Sequence, residues 1–133
     1  MNFKNILYEN IDTLALITIN RPESHNAISL ETLDELNNAV DLATSDESVK
    51  VIAIIGAGGK SFASGSDLNE VLDRDLKKAL EPIIQGLAEK LEKTPKPTIA
   101  GIDGICMGGG LEVALGCDLR IATPDSKFAT PEG

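Results

Sequence analysis

Two stretches rich in small residues carry the chemistry that this chain could perform. Ser61-Phe62-Ala63-Ser64-Gly65-Ser66-Asp67-Leu68 and Gly104 through Glu112 each follow an apolar run of strand length and lead toward a segment of helix-forming composition. Such loops leave the carboxyl ends of strands, where open α/β sheets bind ligands. The first N–H groups of a helix have no partner within it and lie at the positive end of its dipole, so they suit a developing negative charge. Small side chains let a ligand approach that backbone closely. One N–H from each stretch would form an oxyanion hole. Taken alone, the glycines read equally as a tight turn that lets a helix pack on a strand. Glu112 alone reads equally as a first-turn glutamate complementing the dipole.

Other catalytic arrangements fit less well. No Gly-x-Gly-x-x-Gly run opens a helix after the first apolar strand, and no Gly-Lys-Ser or Gly-Lys-Thr follows a glycine loop, so neither nucleotide-binding signature is present. A serine hydrolase needs a histidine, and the single one, His25, lies in an early loop that reads as solvated. Neither Ser64 nor Ser66 sits in a Gly-x-Ser-x-Gly elbow. Cys106 and Cys117 fit no zinc pattern and are expected to be buried free thiols in a reducing compartment.

The elements that must hold these loops follow from periodicity. Ile6-Leu7-Tyr8 and Thr13 to Ile19 alternate as half-buried strands, with Glu9-Asn10-Ile11-Asp12 as the turn of a hairpin. Ser29 is a helix N-cap, and behind it Leu33, Leu36, Val40 and Ala43 place one apolar face on a helix ending near Thr44. Val49 to Gly56 is expected to be a strand covered on both faces. A short helix is expected to begin near Asp67. Leu76, Leu80, Ile83, Leu87 and Leu91 then mark a longer helix in which Pro82 predicts a break. Thr98 to Ile102 and Leu119 to Ala122 read as further strands, with a short one near Phe128. Helices alternating with apolar strands imply β-α-β crossovers in an α/β layer fold.

Composition bounds the class. The 133 residues, 42% hydrophobic and 25% charged, suit one domain with a real core. With 12 Lys and Arg against 21 Asp and Glu, the net charge of −9 opposes binding to nucleic acid or an anionic membrane. The amino terminus is polar and the apolar runs fall far short of the ~20 residues of a spanning helix, so a cytoplasmic protein is expected.

Taken in order, several motifs resemble the enoyl-CoA hydratase/isomerase (crotonase) family. They are Asn20-Arg21-Pro22 with Asn26-Ala27-Ile28, then Phe62 through Leu68, then Gly108-Gly109-Gly110-Leu111-Glu112, then Cys117-Asp118-Leu119-Arg120-Ile121-Ala122, and last Phe128-Ala129-Thr130-Pro131-Glu132. The resemblance implies an α/β, crotonase-like (ClpP/crotonase) spiral of repeated β-β-α units. It implies that the N–H groups of Ser66 and Gly109 hold the thioester oxygen of an acyl-CoA. Ser64, Gly65, Ser66, Asp67, Leu68 and Gly109 are then the substrate-binding positions, with carbonyls around Ser64 and Ser66 facing the adenine of CoA. Asp67 is equally suited to cap its helix. Glu112 and Glu132 take the places of the two glutamates of the family's hydratases, which add water across the 2,3 double bond of an enoyl-CoA. The alternatives are an isomerase, which can work from one carboxylate beside the same hole, and a catalytically dead, truncated crotonase-like remnant that keeps the motifs but lacks part of the pocket. No cofactor or metal is implied, since CoA is part of the substrate.

Two departures stand out. Serine occupies position 66, where alanine is common, and Ser24 stands where many relatives carry a lysine that can approach CoA phosphates, which leaves that contact to another group such as Arg21. Family members also continue for about as many residues again, completing the pocket and a trimer interface. The expectation is therefore one core domain, residues 1–133, truncated after the second glutamate, with the homotrimer or dimer of trimers reserved for a complete chain.

Overall fold

The computed structural model describes residues 2–65 and 74–129, arranged as two parallel-rich sheets and three helices. β1 (Ile6–Ile11) and β2 (Leu14–Ile19) form the expected hairpin. Its turn is tighter than the polar residues suggested. Strand pairing runs to Ile11 opposite Leu14, leaving Asp12 and Thr13 as the loop, with Asp12 in the left-handed region at φ 53°. Asparagine and aspartate tolerate that conformation better than most residues.

Ser29 caps α1 (Leu30–Ser45) as expected, its Oγ accepting from the Thr32 N–H. The buried face is Thr32, Leu33, Leu36, Ala39, Val40 and Ala43. At the other end the Lys96 ammonium donates to the carbonyls of Ala43 at 2.7 Å and Asp46 at 2.6 Å, a cation set against the negative end of the helix dipole.

From β3 onward the chain repeats one unit. β3 (Val51–Gly56) joins the first sheet, β4 (Ser61–Ala63) joins the second, and α2 (Arg74–Lys93) follows. β5 (Thr98–Ile102), β6 (Ile105–Met107) and α3 (Gly109–Gly116) do the same, and β7 (Leu119–Ala122) and β8 (Lys127–Ala129) begin it again. The first sheet has the order β1-β2-β3-β5-β7, parallel from β2 onward, and the second the order β4-β6-β8, parallel throughout. The three-residue strands β4 and β6 went unseen in the sequence because segments so short show no alternation and owe their pairing to tertiary neighbours.

Pro82 does not break α2, which runs through it from Arg74 to Lys93. Pro82 is exposed, so the carbonyl of Lys78 that loses its N–H partner lies on the solvent side, where water can satisfy it. The buried stripe is Leu80, Ile84, Leu87 and Leu91, with Ile84 rather than Ile83 turned fully inward. The short helix expected near Asp67 lies outside the described residues.

β3 also differs from expectation. Ile52 and Ile54 are fully buried on the helix side of the sheet, whereas Val51, Ala53 and Ile55 on the opposite face are only partly covered among the described residues. Leu7, Ile11, Leu119 and Ile121 continue that apolar face across the sheet, so among the described residues only one face of β3 is fully covered. The core sits between the first sheet, the helices and β4, around Phe62, Ile17, Ile54, Leu36 and Leu87.

Candidate active site

The second sheet brings the two chemically suggestive loops side by side. β4 and β6 are paired, so the backbone leaving Ala63 and the backbone leaving Met107 emerge together. Their contact depends on missing side chains. A Cβ placed on Gly110 would lie 2.6 Å from the Ala63 Cβ and 2.7 Å from its carbonyl oxygen, so α3 can seat its first turn against β4 only with glycine there. A Cβ on Gly65 would meet the Met107 carbonyl oxygen at 3.4 Å and the Gly108 Cα at 3.8 Å, which sets Ser64-Gly65 directly against the start of α3. Gly108, the N-cap, has φ 53° and ψ −125°, a conformation that a side chain strongly opposes.

Gly109 begins the helix. Its N–H belongs to the first-turn group that has no intrahelical acceptor and lies at the positive end of the dipole. At the far end the Arg120 guanidinium donates to the Cys117 carbonyl at 2.8 Å, placing a cation against the helix C-terminus. Asp118 and Thr98 lock β5 to the exit of α3, the carboxylate accepting from the Thr98 N–H at 2.9 Å while the Thr98 Oγ1 accepts from the Asp118 N–H at 2.9 Å. The family-like Cys117 to Ala122 motif thus orients the helix that carries Gly109.

Glu112 lies one turn into α3, half-buried. It lines a groove of about 360 Å³ between α2 and α3, with Gln85, Ala88, Glu89, Glu92, Leu115 and Gly116. Gly65 lies against the backbone just before α3, whereas Glu112 lines the face of that helix turned to α2. Ser66, Asp67, Leu68 and Glu132 lie outside the described residues; of the rest of the expected set, Gly65 lies against Gly108, the N-cap of the helix that carries Gly109 and Glu112.

The loop before α1 braces this arrangement in a way the sequence did not reveal. Asn26, fully buried, accepts from the Arg21 N–H at 2.8 Å through Oδ1 and donates through Nδ2 to the carbonyls of Ser61 at 2.8 Å and Ala57 at 3.0 Å. The signals at Asn26 were a turn-rich stretch and a place in the family-like Asn26-Ala27-Ile28 motif, and neither marked the distant partners. Arg21 Nη1 donates to the Ala27 carbonyl in the same loop. His25 is exposed, as expected.

Neither cysteine offers a nucleophile. Burial pushes the Cys106 and Cys117 thiols up to about 11, and both are free. Among the described residues no group of His, Cys, Asp and Glu could hold a metal ion, and no helix is long and apolar enough to cross a membrane.

Comparison with known proteins bears on the family and the fold. The profile of the Enoyl-CoA hydratase/isomerase family matches residues 9–133. A short-chain-enoyl-CoA hydratase from Clostridium acetobutylicum is 35% identical over 134 aligned residues, covering 99% of this chain and 51% of its own length. A crotonyl-CoA hydratase from Syntrophomonas wolfei is 37% identical, with 99% and 52% covered. A crystal structure of an enoyl-CoA hydratase/isomerase from Xanthobacter autotrophicus Py2 superposes with a TM-score of 0.91 at 40% identity, over 98% of this chain and 50% of that one. The chain thus spans about half the length of the relatives it matches, and its β-β-α repeat is the crotonase fold. With the profile match spanning nearly its whole length, the chain belongs to the enoyl-CoA hydratase/isomerase family.

Proposed function

We propose that this chain serves the hydration of a 2-enoyl-CoA, or the reverse dehydration of a 3-hydroxyacyl-CoA. The observation that carries the proposal is the close approach of Ala63 to Gly110 and of Gly65 to Gly108 at the start of α3, with Glu112 in the first turn of the same helix. Several of the most similar relatives bear hydratase names, which supports water addition as the reaction.

In this reading the N–H groups of Ser66 and Gly109 hold the thioester oxygen. Their hydrogen bonds strengthen as charge collects there during addition to the 2,3 double bond. Of Glu112 and Glu132, one carboxylate takes a proton from water as its oxygen bonds to Cβ, and the other, as the acid, delivers a proton to Cα. The thioester regains its carbonyl as the enolate charge is quenched. Ser64, Gly65, Ser66, Asp67, Leu68 and Gly109 would contact the CoA portion and thioester. The chemistry asks for no cofactor, because CoA enters with the substrate. A trimer or dimer of trimers in the cytoplasm remains the assembly that the family resemblance suggests.

The test is an assay of 2-enoyl-CoA and 3-enoyl-CoA thioesters side by side, with Glu112→Gln as the diagnostic variant. The amide keeps the shape but cannot exchange the proton, so kcat for hydration should fall by about 10²–10⁴ while acyl-CoA binding changes little. Turnover of only the 3-enoyl substrate would overturn hydration in favour of isomerisation, and wild-type turnover by Glu112→Gln would remove Glu112 from the mechanism.

A further inference from the structure

Among the described residues β4 is an edge strand, paired with β6 on one side and with no strand on the other. Its open edge is occupied by residues 25–28. The Ser64 N–H donates to the His25 carbonyl at 3.1 Å and the Ile28 N–H donates to the Gly65 carbonyl at 2.6 Å. Between these two bonds, the Asn26 carboxamide reaches back to the Ser61 carbonyl at the start of β4 and to the Ala57 carbonyl before it. Residues 61 to 65 are therefore held at three points by one short loop.

Asn26 is suited to this by its backbone as well as its side chain. His25 and Asn26 both have positive φ, at 54° and 56°, and asparagine is among the few residues that adopt that region readily. Its own N–H donates to the Arg21 carbonyl at 2.8 Å and its Oδ1 accepts from the Arg21 N–H, so the turn is closed on itself before it reaches β4. A carboxamide supplies one acceptor and two donors in one plane, the set this position needs. A fully buried polar side chain with all these bonds made is a rigid link.

We infer that Asn26 is a positioning residue for the oxyanion hole, setting the gap between the loop that leads to Ser66 and the N-terminus of α3. The inference deepens the hydratase reading and rests on it for its kinetic arm. Donors in an oxyanion hole act over a narrow range of distance, and a misplacement of ~1 Å is enough to cost about 10²-fold. Gly65 lies against Met107 and Gly108, so a shift of residues 61 to 65 moves one donor loop relative to the other.

The experiment compares Asn26→Asp and Asn26→Gly with the wild type on crotonyl-CoA. Aspartate keeps the acceptor for Arg21 but turns an oxygen toward two carbonyl oxygens. Its kcat should fall on the order of 10²-fold at neutral pH, with KM changed much less, and should partly recover as the pH is lowered and the new carboxyl group becomes a donor. Asn26→Gly suits the positive φ, so it folds while lacking the bonds, and should show the same loss without recovery at low pH. Val40→Ala, in the core and away from the loop, serves as a control for lost stability and should leave kcat near the wild-type value. Amide hydrogen exchange supplies an arm independent of activity: in Asn26→Gly, Ser64 and Ile28 should exchange at least about tenfold faster while β2 and β3 amides are unchanged. Wild-type kcat in both Asn26 variants would overturn the inference, as would unaltered exchange at Ser64 and Ile28. If the wild-type chain, which spans about half the length of its relatives, is inactive on crotonyl-CoA, the exchange measurement alone decides whether Asn26 holds the loop.

Discussion

On the proposed mechanism Gly109 acts through its peptide, so the revealing substitution there is one that deletes an N–H. Gly109→Pro removes the donor and should lower kcat for enoyl-CoA hydration by about 10²–10³, the range seen when one donor of an oxyanion hole is lost. Gly109→Ala keeps the donor. Its new Cβ would meet the Ile84 Cδ1 at 2.8 Å, the flexible end of a side chain that can move aside. Its cost should therefore appear in stability, on the order of 1 kcal/mol, more than in kcat. Parallel rate and urea-denaturation measurements on the two variants check this, and equal loss of kcat in both would argue against a role for the N–H. The same contrast between backbone and side chain explains why a serine at position 66 is compatible with the proposed hole: the donor there is also a peptide group.

Among the helices, α2 shows how tertiary packing overrides local preference. Pro82 should end or kink a helix, yet the stripe Leu80, Ile84, Leu87 and Leu91 continues across it into the core. Burial of four large side chains outweighs one lost hydrogen bond on the exposed side. Pro82→Ala restores an N–H to the Lys78 carbonyl and removes the ring clash, so it should stabilise the fold by about 1–2 kcal/mol after allowing for the freer unfolded chain. Urea unfolding monitored by circular dichroism measures the change, and a loss of stability would mean that the proline ring itself packs favourably. In α3 the charges favour the helix at both ends, with Glu112 in the first turn and Arg120 against the last carbonyls. That helix is only eight residues long, too short to persist without its docking on β4.

Cys106 in β6 of the second sheet and Cys117 at the end of α3 link the core to pH. Both thiols are held neutral to about 11, against an ordinary value of 9.0. In the unfolded chain they ionise first as pH rises, which draws the equilibrium toward unfolding. Their contribution to stability is thus complete below about pH 9 and is lost between pH 9 and about 11. A Cys106→Ala, Cys117→Ala protein should be less stable at neutral pH, because packing is lost, yet its stability should fall less steeply between pH 9 and 10.5. Denaturation midpoints at several pH values test this, and parallel curves for the two proteins would show that the thiols do not contribute. Across the described residues the repeated unit of one strand in each sheet followed by a helix is what places the two candidate loops at neighbouring ends of β4 and β6.

The hairpin, α1 with its Ser29 cap, and the strands β3, β5 and β7 were legible from residue order because each is written in local terms: alternation, a stripe at steps of three and four, or a β-branched run. The family-like motifs named Ser64, Gly65, Gly109 and Glu112 as candidates, since those positions are defined by neighbours in the chain. The second sheet was not legible, because β4 and β6 are three residues each and gain their pairing energy from one another. Nor was the open outer face of the first sheet, where Val51 and Ile55 have the same apolar character as the buried Ile52 and Ile54 and differ only in what packs on them. Asn26 belongs to the same class. Its residue type announces a turn, but its partners lie 31 and 35 residues away, and only folding that brings Ala57 and Ser61 to it turns a local turn former into a brace for the candidate site.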